Sequence, residues 1–145
     1  MSVTLPPRLQ RIVEDFQMLH GREKLEYLLE LSEGLPPLPE HLAAARRAEE
    51  GLVHECMTPV YVYVEAANGG LRYYFDVPPE SPTVRGYAAI MQQGVEGLTS
   101  QEIAAIPDQF YLDMGLQNVL SGQRLNGLGA ILNYVKTLAR KRELD

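Results

Sequence analysis

The stretch that most limits the fold is Val60 to Glu65, rich in Val and Tyr, followed by Asn68-Gly69-Gly70 and then Leu71 to Phe75. β-Branched and aromatic residues suit a pleated strand, and Asn-Gly tolerates the positive φ that a tight hairpin turn demands. The pattern predicts an antiparallel hairpin. Leu52 and Val53 are expected to add a third, short strand, giving a small antiparallel sheet of about three strands. Helical patterns flank it on both sides, so the fold class is α+β.

Ahead of the hairpin, Leu5-Pro6-Pro7 opens a helix, since proline is tolerated where the amide has no helical partner. Leu9, Ile12, Val13, Phe16 and Leu19 fall on one stripe at helical spacing. A second helix is predicted from about Arg22 to Ser32, capped at Gly34 and stopped by Pro36, Pro37 and Pro39. His41 to Glu50 has the alanines and arginines of a short exposed helix without an apolar face. After the hairpin, Pro78, Pro79 and Pro82 exclude regular pairing. A helix starts near Thr83 with Val84, Tyr87, Ala88 and Met91 on one face, ended by Gly94 and Gly97. Thr99 with Glu102 three positions on is a capping-box pattern, predicting a helix over Ser100 to Ala105. Pro107 starts another short helix that carries Phe110, Tyr111 and Met114 and closes at Gly115. The last helix, about Gln123 to Arg142, has the strongest periodicity: Leu125, Leu128, Leu132, Val135 and Leu138. With no internal repeat and no dividing linker, residues 1–145 are expected to form one domain.

A chain of 145 residues buries about 70% of the surface it exposes when unfolded, so it needs neither metal nor disulfide to fold. Its 13 basic and 19 acidic residues give a formal charge of −6, which offers nucleic acid no electrostatic attraction. No apolar run approaches the roughly 18 residues of a membrane span. Met1 to Pro7 lacks the basic start and apolar core of a signal peptide, so a cytoplasmic location is expected. The three histidines, His20, His41 and His54, are scattered, and with one cysteine there is no metal-ligand cluster.

That one cysteine, Cys56, stands at a loop-to-strand junction. A thiol acts as thiolate, so its neighbours decide its reactivity. By composition and spacing alone, a free cysteine is most often a small buried hydrophobe. His54 can act as a local base or a positive neighbour, or stand as a plain exposed loop residue. Glu55 places a carboxylate beside the thiol, which disfavours the thiolate; two outcomes are open, a weaker or differently paired acceptor or, the expected one, a side chain that points to solvent, where screening keeps the cost small.

The loop Val53-His54-Glu55-Cys56-Met57-Thr58-Pro59-Val60-Tyr61 resembles that of the SufE family, in which Val, Gly, Cys, Ser, Val and Trp or Tyr recur at fixed places. Thr58 stands here for the usual Ser and Glu55 for the usual Gly. Downstream, Val84-Arg85-Gly86 and Leu120-Ser121-Gly122-Gln123-Arg124-Leu125-Asn126-Gly127-Leu128 are similar to two further family segments. Upstream, Tyr27 to Leu31 and the proline-rich Gly34 to Pro39 match the family's helix end and exit. Glu80 sits where the family has an acidic residue. The resemblances keep the family's order along nearly the whole chain.

The resemblance implies a SufE/IscU-like fold and a sulfur carrier that holds no cofactor. In that family the cysteine matching Cys56 accepts sulfur as a persulfide from a pyridoxal-phosphate cysteine desulfurase of the SufS kind, stimulates it, and passes the sulfur to a cluster scaffold such as SufBCD. An apolar pocket under the loop, with Met57, would shield the sulfur. Arg85 is badly placed for its own helix dipole. The resemblance puts it near the loop, to favour the thiolate or anchor it, a surface salt bridge being the alternative. Arg124 and Asn126 belong to the signature segment, where Asn126 is expected to bond to backbone. Other classes stay open: an IscU-like scaffold, which would need several thiolate ligands, a non-catalytic interaction domain with an inert Cys56, and a redox sensor, which would lack a resolving cysteine.

Overall fold

The computed structural model describes residues 5–54 and 58–144, with side chains as far as Arg142. Its elements run α1 (Pro7–Gln17), α2 (Arg22–Ser32), α3 (Ala43–Arg47), β1 (Tyr61–Ala67), β2 (Gly70–Asp76), α4 (Pro82–Val95), α5 (Ser100–Ala104) and α6 (Gly122–Leu144). Short 3-10 segments lie at Glu40–Leu42, Phe110–Met114 and Leu116–Asn118.

The hairpin forms as its sequence predicts. Asn68 and Gly69 take φ of 51° and 81°, so a two-residue turn joins Ala67 to its partner Gly70 and sets Tyr61 opposite Asp76. The period of two then sorts the side chains. Val62, Leu71, Tyr73 and Phe75 enter the core, while Tyr61, Tyr63, Glu65, Arg72, Tyr74 and Asp76 share the other face. The expected third strand is not formed: the described sheet has two strands, and Leu52 makes one isolated bridge to Tyr61. Among the described residues, the Gly51 carbonyl and the Val53 amide make its backbone bonds, to Val62 N and Val60 O at 2.9 Å each. The chain enters this bridge from a tight turn, with Glu49 at φ 58° and Gly51 at φ 82°, and turns off again at His54.

Helix α4 is the centre. Its sequence shows one apolar face, yet Val84, Gly86, Tyr87, Ala88, Ala89, Ile90, Met91, Gly94 and Val95 are all buried. A helix buried nearly all round is one enclosed by neighbours. Helices α1, α2 and α6 and strand β2 all pack on it. Gly94 does not end it. A Cβ there would lie 2.9 Å from Leu9 Cδ1, so this glycine lets α1 approach. Nor is Gly34 a left-handed cap: α2 ends through Glu33 in the right-handed region, and the prolines alone stop it.

The capping box at Thr99 and Glu102 is present, at 3.2 and 3.0 Å. Two buried lysines do similar work at helix C-termini, where carbonyls lack partners. Lys24 Nζ donates to the Phe16 and Met114 carbonyls at 2.7 and 2.9 Å. Lys136 Nζ donates to the Ile106 carbonyl and to Asp108 Oδ1, and that hydrogen bond holds the exposed Asp108 carboxyl below its ordinary pKa. Tyr73 Oη donates to the Val135 carbonyl at 2.7 Å, tying sheet to α6.

Tyr87 is the exception. Its hydroxyl is buried with no hydrogen-bond partner among the described residues, and burial raises its pKa well above the ordinary phenol value. An unpaired buried hydroxyl costs about 1–3 kcal/mol. Tyr87→Phe keeps the ring against Phe110 and removes that cost. It is expected to stabilise the protein by about 1 kcal/mol, raising Tm by roughly 3 °C in a scanning calorimeter; a lower Tm would mean that the hydroxyl has a partner.

Candidate functional site

The segment that carries Cys56 is held at both ends by the core. Val53 and Val60 are 1% and 0% exposed, and the Val53 amide donates to the Val60 carbonyl at 2.9 Å. Two β-branched apolar residues, one on each side of a six-residue excursion, thus fix where the excursion leaves and rejoins the fold. Glu55, Cys56 and Met57, and with them the apolar pocket expected around Met57, lie outside the described residues. On the return side, Thr58 Oγ1 meets Ser81 Oγ at 3.1 Å, which joins the cysteine segment to the connection between β2 and α4.

That connection, Val77-Pro78-Pro79-Glu80-Ser81, makes a turn through the Ser81 amide and the Pro78 carbonyl at 3.0 Å. Arg85 braces it from the first turn of α4. Its Nη1 donates to the Val77 carbonyl at 2.6 Å, and it makes no salt bridge among the described residues. Pro37, Leu38, Arg46, Pro59, Glu80 and Arg85 line an open groove of about 540 Å³. Pro59, three residues past Cys56, forms part of its wall.

His54 is exposed and lines a second groove of about 540 Å³, with Glu49, Glu50, Leu52, Asn133 and Tyr134. The two signature residues of α6 are separate from both grooves. Arg124 Nη1 donates to Thr83 Oγ1 at 2.8 Å, and its amide to Ser121 Oγ at 3.2 Å, tying the start of α6 to the start of α4. Asn126 is exposed, and the backbone bond expected of it is not made among the described residues. The starts of α4 and α6 therefore come together through Arg124 and Thr83, and Ser81, just ahead of α4, meets the cysteine segment at Thr58.

Arg46 has no signal in the sequence. It reaches from α3 to the sheet, with Nε 2.5 Å from Asp76 Oδ2 and the guanidinium 3.8 Å from the centre of the Tyr61 ring. The Asp76 hydrogen bond is the main cause that holds the guanidinium further toward its charged form. The hairpin register makes Asp76 a neighbour of Tyr61, which is legible from the turn; nothing local points to the arginine.

A family profile described as "Fe-S metabolism associated domain", SufE, matches residues 10–139. The chain belongs to the SufE family. A SufE-like protein of Mycobacterium tuberculosis is 38% identical over 143 residues, spanning 98% of this chain and 96% of that one. A SufE-like protein of Synechocystis is 32% identical, spanning 95% and 84%. The solution structure of a hypothetical protein from Thermus thermophilus superimposes with a TM-score of 0.84 at 33% identity, covering 98% of this chain and all of that one. SufE membership puts the chain in iron-sulfur metabolism. No helix among the described residues is long and apolar enough to cross a membrane.

Proposed function

We propose that this SufE-family chain is a persulfide-accepting sulfur carrier that binds and stimulates a cysteine desulfurase and passes the sulfur to an iron-sulfur cluster scaffold. The observation that carries the reading is the family match across residues 10–139, which includes Cys56, the chain's one thiol. The buried anchors Val53 and Val60 and the grooves on either side agree with a segment built to present one residue to a protein partner.

The reaction is a thiol exchange. The Cys56 thiolate attacks the outer sulfur of the donor enzyme's cysteine persulfide. A new S–S bond forms at Cys56, the donor's S–S bond breaks, and its own sulfur leaves as thiolate. Stimulation follows because the donor's thiol is regenerated. The pyridoxal phosphate belongs to the desulfurase, and this chain supplies the accepting sulfur, its orientation and its shielding. His54, the exposed residue at the entry to the segment, is the group of this chain assigned to favour the thiolate in this reading. Arg85 and Arg124 are positioning residues in this reading: the first braces the connection bonded to Thr58, the second locks α6 against α4.

The test is to incubate the protein with its desulfurase and cysteine, then map the added mass by peptide. One added sulfur on the peptide containing Cys56, removable by a reducing thiol, is expected. Desulfurase turnover without that increment overturns the reading.

A further inference from the structure

The path into the cysteine segment runs through residues 40–50, and polar contacts attach this stretch to the fold. Neither Glu40–Leu42 nor α3 has a buried residue, and among the described residues none of the stretch belongs to the hydrophobic core or packs on it. It lies instead across the outer face of the hairpin on polar fastenings. His41 Nε2 meets Glu65 Oε2 at 2.7 Å, with its ring edge-on to Tyr74. Arg46 meets Asp76 and covers Tyr61. Tyr63 Oη donates to the Glu50 carbonyl at 2.8 Å. Both side-chain contacts, His41 with Glu65 and Arg46 with Asp76, are substantially exposed, with side-chain accessibilities of 56% and 32% for the first and 39% and 36% for the second. Pairs of this kind add little net stability and weaken further in salt. Regions with few buried apolar contacts open at lower free energy than the whole fold.

We propose that residues 40–50 form a releasable strap, which detaches from the tyrosine face of the hairpin while the core stays folded, and that the released form presents Cys56 for sulfur transfer. The second half rests on the carrier reading; the first does not. The strap ends six residues before Cys56, and Arg46 also forms one wall of the groove that holds Pro59. Release therefore opens that groove and uncovers Tyr61, Tyr63 and Tyr74 in one step.

Native-state hydrogen exchange on the full chain, read by NMR at low denaturant, decides the first half. The hydrogen-bonded amides of Ala48, Glu49 and Glu50 are expected to exchange at least about a hundredfold faster than those of Ile90 and Met91 in α4, with little denaturant dependence. Arg46→Met should speed them about fivefold, and so should high salt. Arg72→Met removes a comparable exposed pair on the same sheet, Arg72 with Glu96, and should leave their low-denaturant rates unchanged. Strap amides that exchange at the core's rate, or that respond equally to both variants, overturn the strap. For the second half, Arg46→Met should accept sulfur from the desulfurase several-fold faster than wild type, and Arg72→Met at the wild-type rate. Equal or slower acceptance by Arg46→Met breaks the link to Cys56. A wild-type protein that takes no sulfur sinks the carrier reading, while the exchange measurement still decides the strap.

Discussion

Cys56→Ser is expected to abolish both sulfur uptake and stimulation of the desulfurase, a loss to background rather than a reduction. Serine is close to cysteine in size, so the backbone between Val53 and Val60 has no reason to move. What changes is the chemistry: a hydroxyl does not ionise near neutral pH, and its oxygen cannot hold a transferable sulfur atom as a thiolate can. The chain has one cysteine, so no second thiol can take over. The variant should still bind the desulfurase, because the residues that line the two grooves beside the segment are unchanged. Turnover with saturating protein, measured beside binding by calorimetry, separates the two. Full stimulation by Cys56→Ser would show that the effect is conformational and that no sulfur passes through this chain.

Gly86→Ala should produce the largest loss of stability. Taken alone, Gly to Ala inside a helix is worth up to about 1 kcal/mol in favour of alanine. Here the new Cβ would lie 2.2 Å from the Leu28 carbonyl oxygen and 2.9 Å from Leu28 Cγ and Cδ1. The obstacle is the backbone of α2, which cannot rotate away as a side chain can. The two helices must separate, and overpacking in a filled core costs about 1–3 kcal/mol or more. A net loss of roughly 3 kcal/mol is expected in urea denaturation. Gly122→Ala is the control, since its Cβ would meet nothing within 4 Å; it should change stability by less than about 0.5 kcal/mol. Separation of α2 from α4 would also displace Arg85, the residue before Gly86, so sulfur acceptance by the folded fraction should fall as well. A stable Gly86→Ala protein would mean that α2 and α4 sit further apart than described.

The same glycine shows what the sequence discloses and what it withholds. Val84-Arg85-Gly86 stands out by resemblance, but the reason for the glycine is the carbonyl of Leu28, far back in the chain, which no local pattern reports. Elements fixed by short-range chemistry were legible: α2 over Arg22–Ser32, the capping box at Thr99, and a hairpin whose register follows from Asn68-Gly69. Features set by distant partners were not. The third strand fails because the chain turns off at both ends of a single bridge, and α4 is buried on faces whose small residues read as neutral. Arg46 looked like one more charge on an exposed helix. At the candidate site, sequence singled out Cys56, His54, Arg85 and Arg124, whereas Ser81 meets Thr58 only because the turn after β2 brings it back.

The way Lys24 and Lys136 are spent on helix ends has a practical outcome. The chain has three lysines, and these two are 7% and 8% exposed, each amine committed to carbonyl oxygens. Lys141, near the end of α6, is the lysine left in water. Among lysine side chains, acylation, cross-linking and acetylation therefore meet the folded protein at one end of one helix, and modification at position 24 or 136 becomes a marker of chains that have come apart.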